Sequence, residues 1–264
     1  MTHPIRIGLC SVTFRGLSPE EIVAAAVGAG LESIEWGADV HVPAGDVPAA
    51  RRVAALTSDA GLAVASYGSY FRATTGEEVA PVLDSAAALG APRVRVWAGR
   101  SGSADASGPE RSGVIDGLRD AAVAAAERGI ELALEFHGGT LADTAPETLR
   151  VLADVDHPAL RTYWQPTVGA SDSLAVDEYR AIADRVSAVH VFSWWPRAER
   201  LPLTERDALW REFFATASVS SVQPSDALLE FVPEDDPAVL AREAATLRAW
   251  RDEAPNARTV GSGS

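Results

Sequence analysis

The stretch Glu131–His137, ELALEFH, is the most informative in the chain. In a strand, side chains alternate faces with a period of two. Glu131, Ala133, Glu135 and His137 therefore share one face, and Leu132, Leu134 and Phe136 share the other. Thr144-Ala145-Pro146-Glu147 then opens a helix, so the segment is a strand followed by a helix. If the acidic face turns inward at the mouth of a barrel, the leucines and Phe136 pack outward on helices.

Seven further β-rich runs recur at roughly 25–35-residue spacing, each followed by an Ala/Leu/Glu/Arg-rich stretch of helical periodicity. They are IRIGLC from Ile5, SIEW from Ser33, LAVASY from Leu62, RVRVWA from Arg93, RTYWQ from Arg161, SAVHVF from Ser187 and DALLEF from Asp226. Helix signals fill the intervals. Ser18-Pro19-Glu20-Glu21 supplies a cap, a proline at the first helical position and two acids, and opens a run ending at Gly28 or Gly30. Further helices are expected over about 76–90 and 109–129, and a last one from Asp236-Pro237. Eight alternating units predict an α/β protein, a single (β/α)8 TIM barrel over residues 1–256. A dinucleotide-binding sheet is disfavoured, because Cys10-Ser11-Val12-Thr13-Phe14 stands where its glycine fingerprint would follow the first strand. The end of the chain, 257–264, reads as a disordered or vector-derived tail.

Composition narrows the chemistry. A net charge of −14 disfavours nucleic acid, whose backbone needs clustered cations. All 23 basic residues are arginine, which removes Schiff-base, P-loop and kinase-type lysines together. No G-x-S-x-G elbow occurs. The one cysteine, Cys10, falls in a core strand and reads as a buried, inert thiol. There is no apolar run of membrane-spanning length and no signal-peptide pattern in MTHPIRIGLCSV, so a cytoplasmic protein with no membrane partner is expected.

Residues at the C-terminal ends of barrel strands converge on one mouth. The second strand ends at Glu35-Trp36 and leads to His41, the third to Tyr67, Tyr70 and Arg72, and the fourth to Trp97 and Arg100. The fifth gives Glu135 and His137, the sixth Gln165, the seventh His190 and the eighth Glu230. Carboxylates in otherwise apolar strands are costly to bury without a cation. Strands five to eight thus each offer one donor, Glu135, Gln165, His190 and Glu230. This oxygen/nitrogen set suits a divalent metal, Mn²⁺ first, with Co²⁺, Mg²⁺ or Zn²⁺ as alternatives. Taken singly, a buried Glu reads as an ion pair, a strand His as a hydrogen-bonded core residue and Gln165 as a pocket amide; their agreement in place favours a site.

That order of ligands resembles the xylose isomerase-like TIM-barrel superfamily of sugar isomerases and epimerases, which includes ketose 3-epimerases, 2-keto-myo-inositol dehydratases and endonuclease IV. The stretches GLCSVTFRGLSPEEIV, IEWGADVHVP, EFHGGTLADT and YWQP further resemble a subgroup of sugar phosphate isomerases. The resemblance implies that Glu135 and Glu230 are acid/base groups as well as ligands, acting on an enediolate, with His190 a ligand only. It departs at strand six, where the better-understood epimerases carry an aspartate with a histidine three residues on; here Gln165 and Val168 stand. A neutral amide leaves two glutamates to balance a divalent ion. Five histidines are too few for the three-metal cluster of endonuclease IV.

Three readings stay open: an isomerase or epimerase of a sugar or keto-sugar, phosphorylated or not; a dehydratase or lyase of a keto-sugar or 3-keto-glycoside at the same site; and a non-catalytic carbohydrate-binding barrel. Trp36, Trp97 and Trp194, with Tyr67, are candidates to contact a sugar, the tryptophans by stacking. His41 and His137 are candidate hydroxyl contacts, and Arg72, Arg100 and Arg197 candidate partners for an anionic group on a small-molecule carbohydrate. Trp210 and Trp250, if exposed, would suit a homodimer.

Overall fold

Eight parallel strands close on themselves in the computed structural model of the chain, which describes residues 5–255. The tail expected at 257–264 lies outside the described residues. The barrel is formed by β1 (Arg6–Cys10), β2 (Ser33–Gly37), β3 (Ala63–Gly68), β4 (Arg93–Val96), β5 (Glu131–Leu134), β6 (Leu160–Trp164) and β7 (Val186–Val191). A short antiparallel hairpin, β8 (Ser193–Trp194) and β9 (Arg200–Leu201), interrupts the order before β10 (Asp226–Leu229). Strand β10 then pairs with both β7 and β1 and completes the ring. The chain is a single (β/α)8 TIM barrel.

The outer helices are α1 (Pro19–Gly28), α2 (Val47–Asp59), α3 (Ala80–Leu89), α4 (Gly108–Ala126), α5 (Ala145–Val155), α6 (Asp172–Ile182), α7 (Asp207–Val219) and α8 (Leu240–Glu253). Their starts follow side-chain chemistry. Ser18 and Glu21 form a reciprocal capping box on α1, and the Thr144 hydroxyl accepts from the Glu147 N–H at the start of α5. Helix α3 begins four residues later than its glycine suggests, because the Glu77 carboxylate accepts from the Arg72 and Thr74 N–H groups and holds the preceding segment as a loop. The last helix likewise starts at Leu240, after a single 3₁₀ turn over Pro237–Val239.

Alternation sorts the barrel into two environments. Outward residues such as Ile7, Leu9, Leu132 and Leu134 join the helices in the main core. Inside, Cys10, Val12, Ala65, Ala133, Tyr163, Ala188 and Leu228 form a separate apolar layer. At the end of that layer nearer the strand starts, the Asp226 carboxylate accepts from Arg6, Ser33 and Arg93 at 2.8–2.9 Å. At the other end the polar residues gather. Trp210 and Trp250 are buried within the chain, so neither offers a surface for a second copy. Among the described residues no helix is long and apolar enough to cross a membrane.

Candidate active site

Glu135, Gln165 and Glu230 each stand one residue past the end of their strands, and His190 lies one residue inside β7. The four are buried and converge. His190 Nδ1 is 2.9 Å from Gln165 Oε1, 3.4 Å from Glu230 Oε2 and 3.9 Å from Glu135 Oε1. The imidazole and the Tyr163 ring beside it meet in a T-shaped pair, centroids 5.1 Å apart at 79°.

Two charged residues outside the four-residue set complete the cluster. Arg95, buried on β4, donates from Nε to Glu35 Oε1 at 3.0 Å and from Nη1 to Glu135 Oε2. Glu35 also accepts from the Ser66 hydroxyl at 2.6 Å, and its Oε1 lies 3.4 Å from His190 Nε2. The sequence carried a signal for Arg95: in RVRVWA it alternates with valines, and it is the cation that the buried carboxylates require. Pairing in space could not be read from the strands separately.

The cluster holds three carboxylates against one guanidinium, and the titrations follow. Burial would depress the His190 imidazole, but Glu230 and Glu35 outweigh it and lift it to about 9. Burial opposes ionisation of Glu35, yet Arg95, with help from His190, holds it well below the usual carboxylate range. Glu230 is raised by burial and by the neighbouring Glu135, against the pull of His190 and Arg95. Cys10 Sγ lies within 4.8 Å of donor atoms of His190 and Glu230. Burial, then Glu35 and Glu230, push its thiol up, which keeps the proton on sulfur.

Three of the donors, Gln165, His190 and Glu230, stand at spacings that suit a divalent ion, while Glu135 Oε1 lies farther out, 3.9 Å from His190 Nδ1. Around an octahedral ion with bonds of about 2.1 Å, neighbouring donors stand about 3 Å apart. The spacing of Gln165 and Glu230 from His190 Nδ1 is close to this, and Arg95 occupies the other oxygen of Glu135 while leaving Oε1 facing His190. With one of the three carboxylates balanced by Arg95, the two remaining negative charges would neutralise one divalent ion.

The remaining candidates divide. Trp36 and Tyr67 face the helices, not the mouth: the Trp36 indole donates to Thr57 and the Tyr67 hydroxyl to the Val42 carbonyl, both buried. The reason is alternation, since an inward Glu35 and Ser66 turn their successors outward. His41, expected as a hydroxyl contact, instead packs within the chain, its nitrogens occupied by Ser11 Oγ at 2.9 Å and the Leu17 carbonyl at 3.1 Å. Arg100 lies exposed against Glu77, and Arg197 is exposed on the turn of the β8–β9 hairpin. At the rim, His137 stacks on Trp97 at 4.5 Å, and the Arg72 guanidinium lies 3.9 Å from the same ring. Trp194 packs against Phe192 and Phe231, with Arg200 rather than Arg197 beside it.

A closed (β/α)8 barrel with a buried acid, imidazole and amide cluster at the C-terminal ends of its strands defines a class of enzymes acting on small molecules. Residues 23–248 match the sequence profile described as xylose isomerase-like TIM barrel, and the chain belongs to that family. It is 28% identical over 168 residues to a 3-dehydroshikimate dehydratase of Bacillus anthracis, a stretch that spans 60% of this chain and 60% of that relative. Its fold is similar to the crystal structure of a probable 3-DHS dehydratase from Bacillus anthracis, with a TM-score of 0.75 and 21% identity over 92% of this chain and 99% of that one. It is also similar to D-psicose 3-epimerase from Clostridium cellulolyticum H10, with a TM-score of 0.72 and 14% identity over 94% and 99% of the two chains.

Proposed function

We propose that this protein is a divalent-metal-dependent enzyme, Mn²⁺ being the best-suited ion, that removes a proton from the carbon next to a carbonyl in a small polyhydroxylated substrate. The observation that carries the reading is the convergence of three oxygen donors on His190 Nδ1 inside a barrel mouth. Glu135, Gln165, His190 and Glu230 would hold the ion. When bound, it would polarise the carbonyl and an adjacent hydroxyl and so acidify the intervening C–H.

Glu230 is the group suited to take the proton. In the metal-free protein burial and the neighbouring Glu135 raise its carboxyl above the ordinary carboxylate value, and Arg95 makes no hydrogen bond to it. Glu135 is gripped by Arg95, which fixes its direction. Glu135, after taking a proton from solvent, would return it to the same carbon for epimerisation or to the neighbouring one for aldose–ketose exchange, and solvent would then take the proton from Glu230. The aromatic rim at Trp97 and Trp194 would border the substrate and restrict water.

A second reading, elimination of a β-hydroxyl after the same proton removal, is supported by the dehydratase relative and by the unequal setting of the two carboxylates. One experiment separates them: Mn²⁺-reconstituted protein is incubated with ketoses and with hydroxylated cyclic keto-acids in deuterium oxide. Deuterium uptake without loss of water supports an isomerase or epimerase, and water loss with a new absorbance supports a dehydratase. Glu230→Gln should slow either by about 10²–10⁴-fold at saturating Mn²⁺, with Mn²⁺ itself bound more weakly because a ligand carboxylate becomes a neutral amide. Absence of Mn²⁺ uptake, or of exchange in every substrate, would point instead to a carbohydrate-binding barrel.

A further inference from the structure

His190 has two ring nitrogens with different surroundings. Nδ1 faces the oxygens of Gln165, Glu230 and Glu135. Nε2 is fully buried, has no hydrogen-bond partner among the described residues, and looks at Glu35 Oε1 at 3.4 Å. A buried N–H without an acceptor costs about 1–3 kcal/mol. An imidazole that ligates through one nitrogen must carry its proton on the other, so whatever faces Nε2 selects which nitrogen is free.

We infer that Glu35 is a positioning residue, the carboxylate toward which His190 directs its Nε2 proton, so that the Nδ1 lone pair is presented to the ring of oxygen donors. The assignment rests on the metal-site reading above. Glu35 is itself held from two sides, by Arg95 on Oε1 and by Ser66 on Oε2, so its carboxylate plane is fixed before any ligand arrives. Arg95 bridges Glu35 to Glu135, so one guanidinium sets the direction both of a donor and of the group that orients the histidine.

Two variants isolate the effect. Glu35→Gln and Glu35→Ala remove the same charge, but only alanine removes the acceptor oxygen. Mn²⁺ affinity of the full chain, measured by calorimetric titration with circular dichroism to verify folding, should fall modestly in Glu35→Gln and about tenfold further in Glu35→Ala. Equal affinities in the two variants would overturn the orienting role. If the unaltered protein takes up no Mn²⁺, the metal reading fails on its own, and Glu35 is then judged in the metal-free protein. There the His190 Nε2–H resonance is identified by its loss in His190→Gln. It should resist solvent exchange in the unaltered chain and in Glu35→Gln, both of which keep an acceptor oxygen, and lose that protection in Glu35→Ala. A proton equally protected in all three, or in none, would refute the assignment.

Discussion

The carboxylates around position 190 decide what its histidine does. With Gln165 in place of a carboxylate, the cluster carries Glu35, Glu135 and Glu230 against Arg95, and the His190 imidazole makes up part of the deficit by holding a proton to about 9. The folded-state value lies above the ordinary 6.5. Its contribution to the stability of the metal-free protein is therefore complete below about 6.5 and is lost as pH rises through about 9. An ion binding at Nδ1 must displace this proton. Mn²⁺ affinity is accordingly expected to rise by about tenfold per pH unit through the neutral range and level off near pH 9, with proton release on titration. Affinity that stays flat between about pH 6.5 and 8.5 would show that His190 is not a ligand.

Among the elements, adjacent strands set how closely charged groups can approach. Strand β3 ends at Gly68, where an added Cβ would stand 2.8 Å from both Arg95 Nη2 and Glu35 Oε1. The absent side chain makes room for the Arg95–Glu35 pair. Gly68→Ala is predicted to cost about 1–3 kcal/mol in unfolding experiments and to weaken Mn²⁺ binding by displacing Arg95 from Glu135. Unchanged stability and affinity would mean that the pair shifts freely. Elements also explain part of what stayed hidden in the sequence. Glu35 and Trp36 were both visible at a strand end, but which of them turns inward depends on the register of β2, which shifts against β3 between Ile34 and Glu35. The hairpin of β8 and β9 had no repeat or turn signal strong enough to separate it from the loop around it.

Across the whole molecule, the barrel interior is built from two ionic clusters separated by an apolar layer. The one near the strand starts has a structural role. Asp226 is fully buried and joins β1, β2, β4 and β10 through Arg6, Ser33 and Arg93. Asp226→Asn leaves the buried Arg93 without its anion at this contact, and breaking such a pair costs about 3–5 kcal/mol. A fall in Tm of roughly 10 °C is expected, with Mn²⁺ affinity kept because the residues proposed to hold the metal lie at the opposite end of the apolar layer. Loss of affinity without loss of stability would contradict this division of labour.

The eight strand–helix units, the barrel and the three residues that meet at His190 were legible in the sequence alone, because alternation and helix caps are local and the strand ends of a barrel share one mouth. It took the folded chain to bring Glu35 and Arg95 into the same cluster, to commit Trp36, Tyr67 and His41 to the packing around it, and to leave Arg100 and Arg197 exposed. The difference arises because a buried charge is defined by its partner. Arg95 is 60 residues from Glu35 and 40 from Glu135, and no local pattern in the chain records which of its carboxylates a guanidinium will meet once the barrel closes.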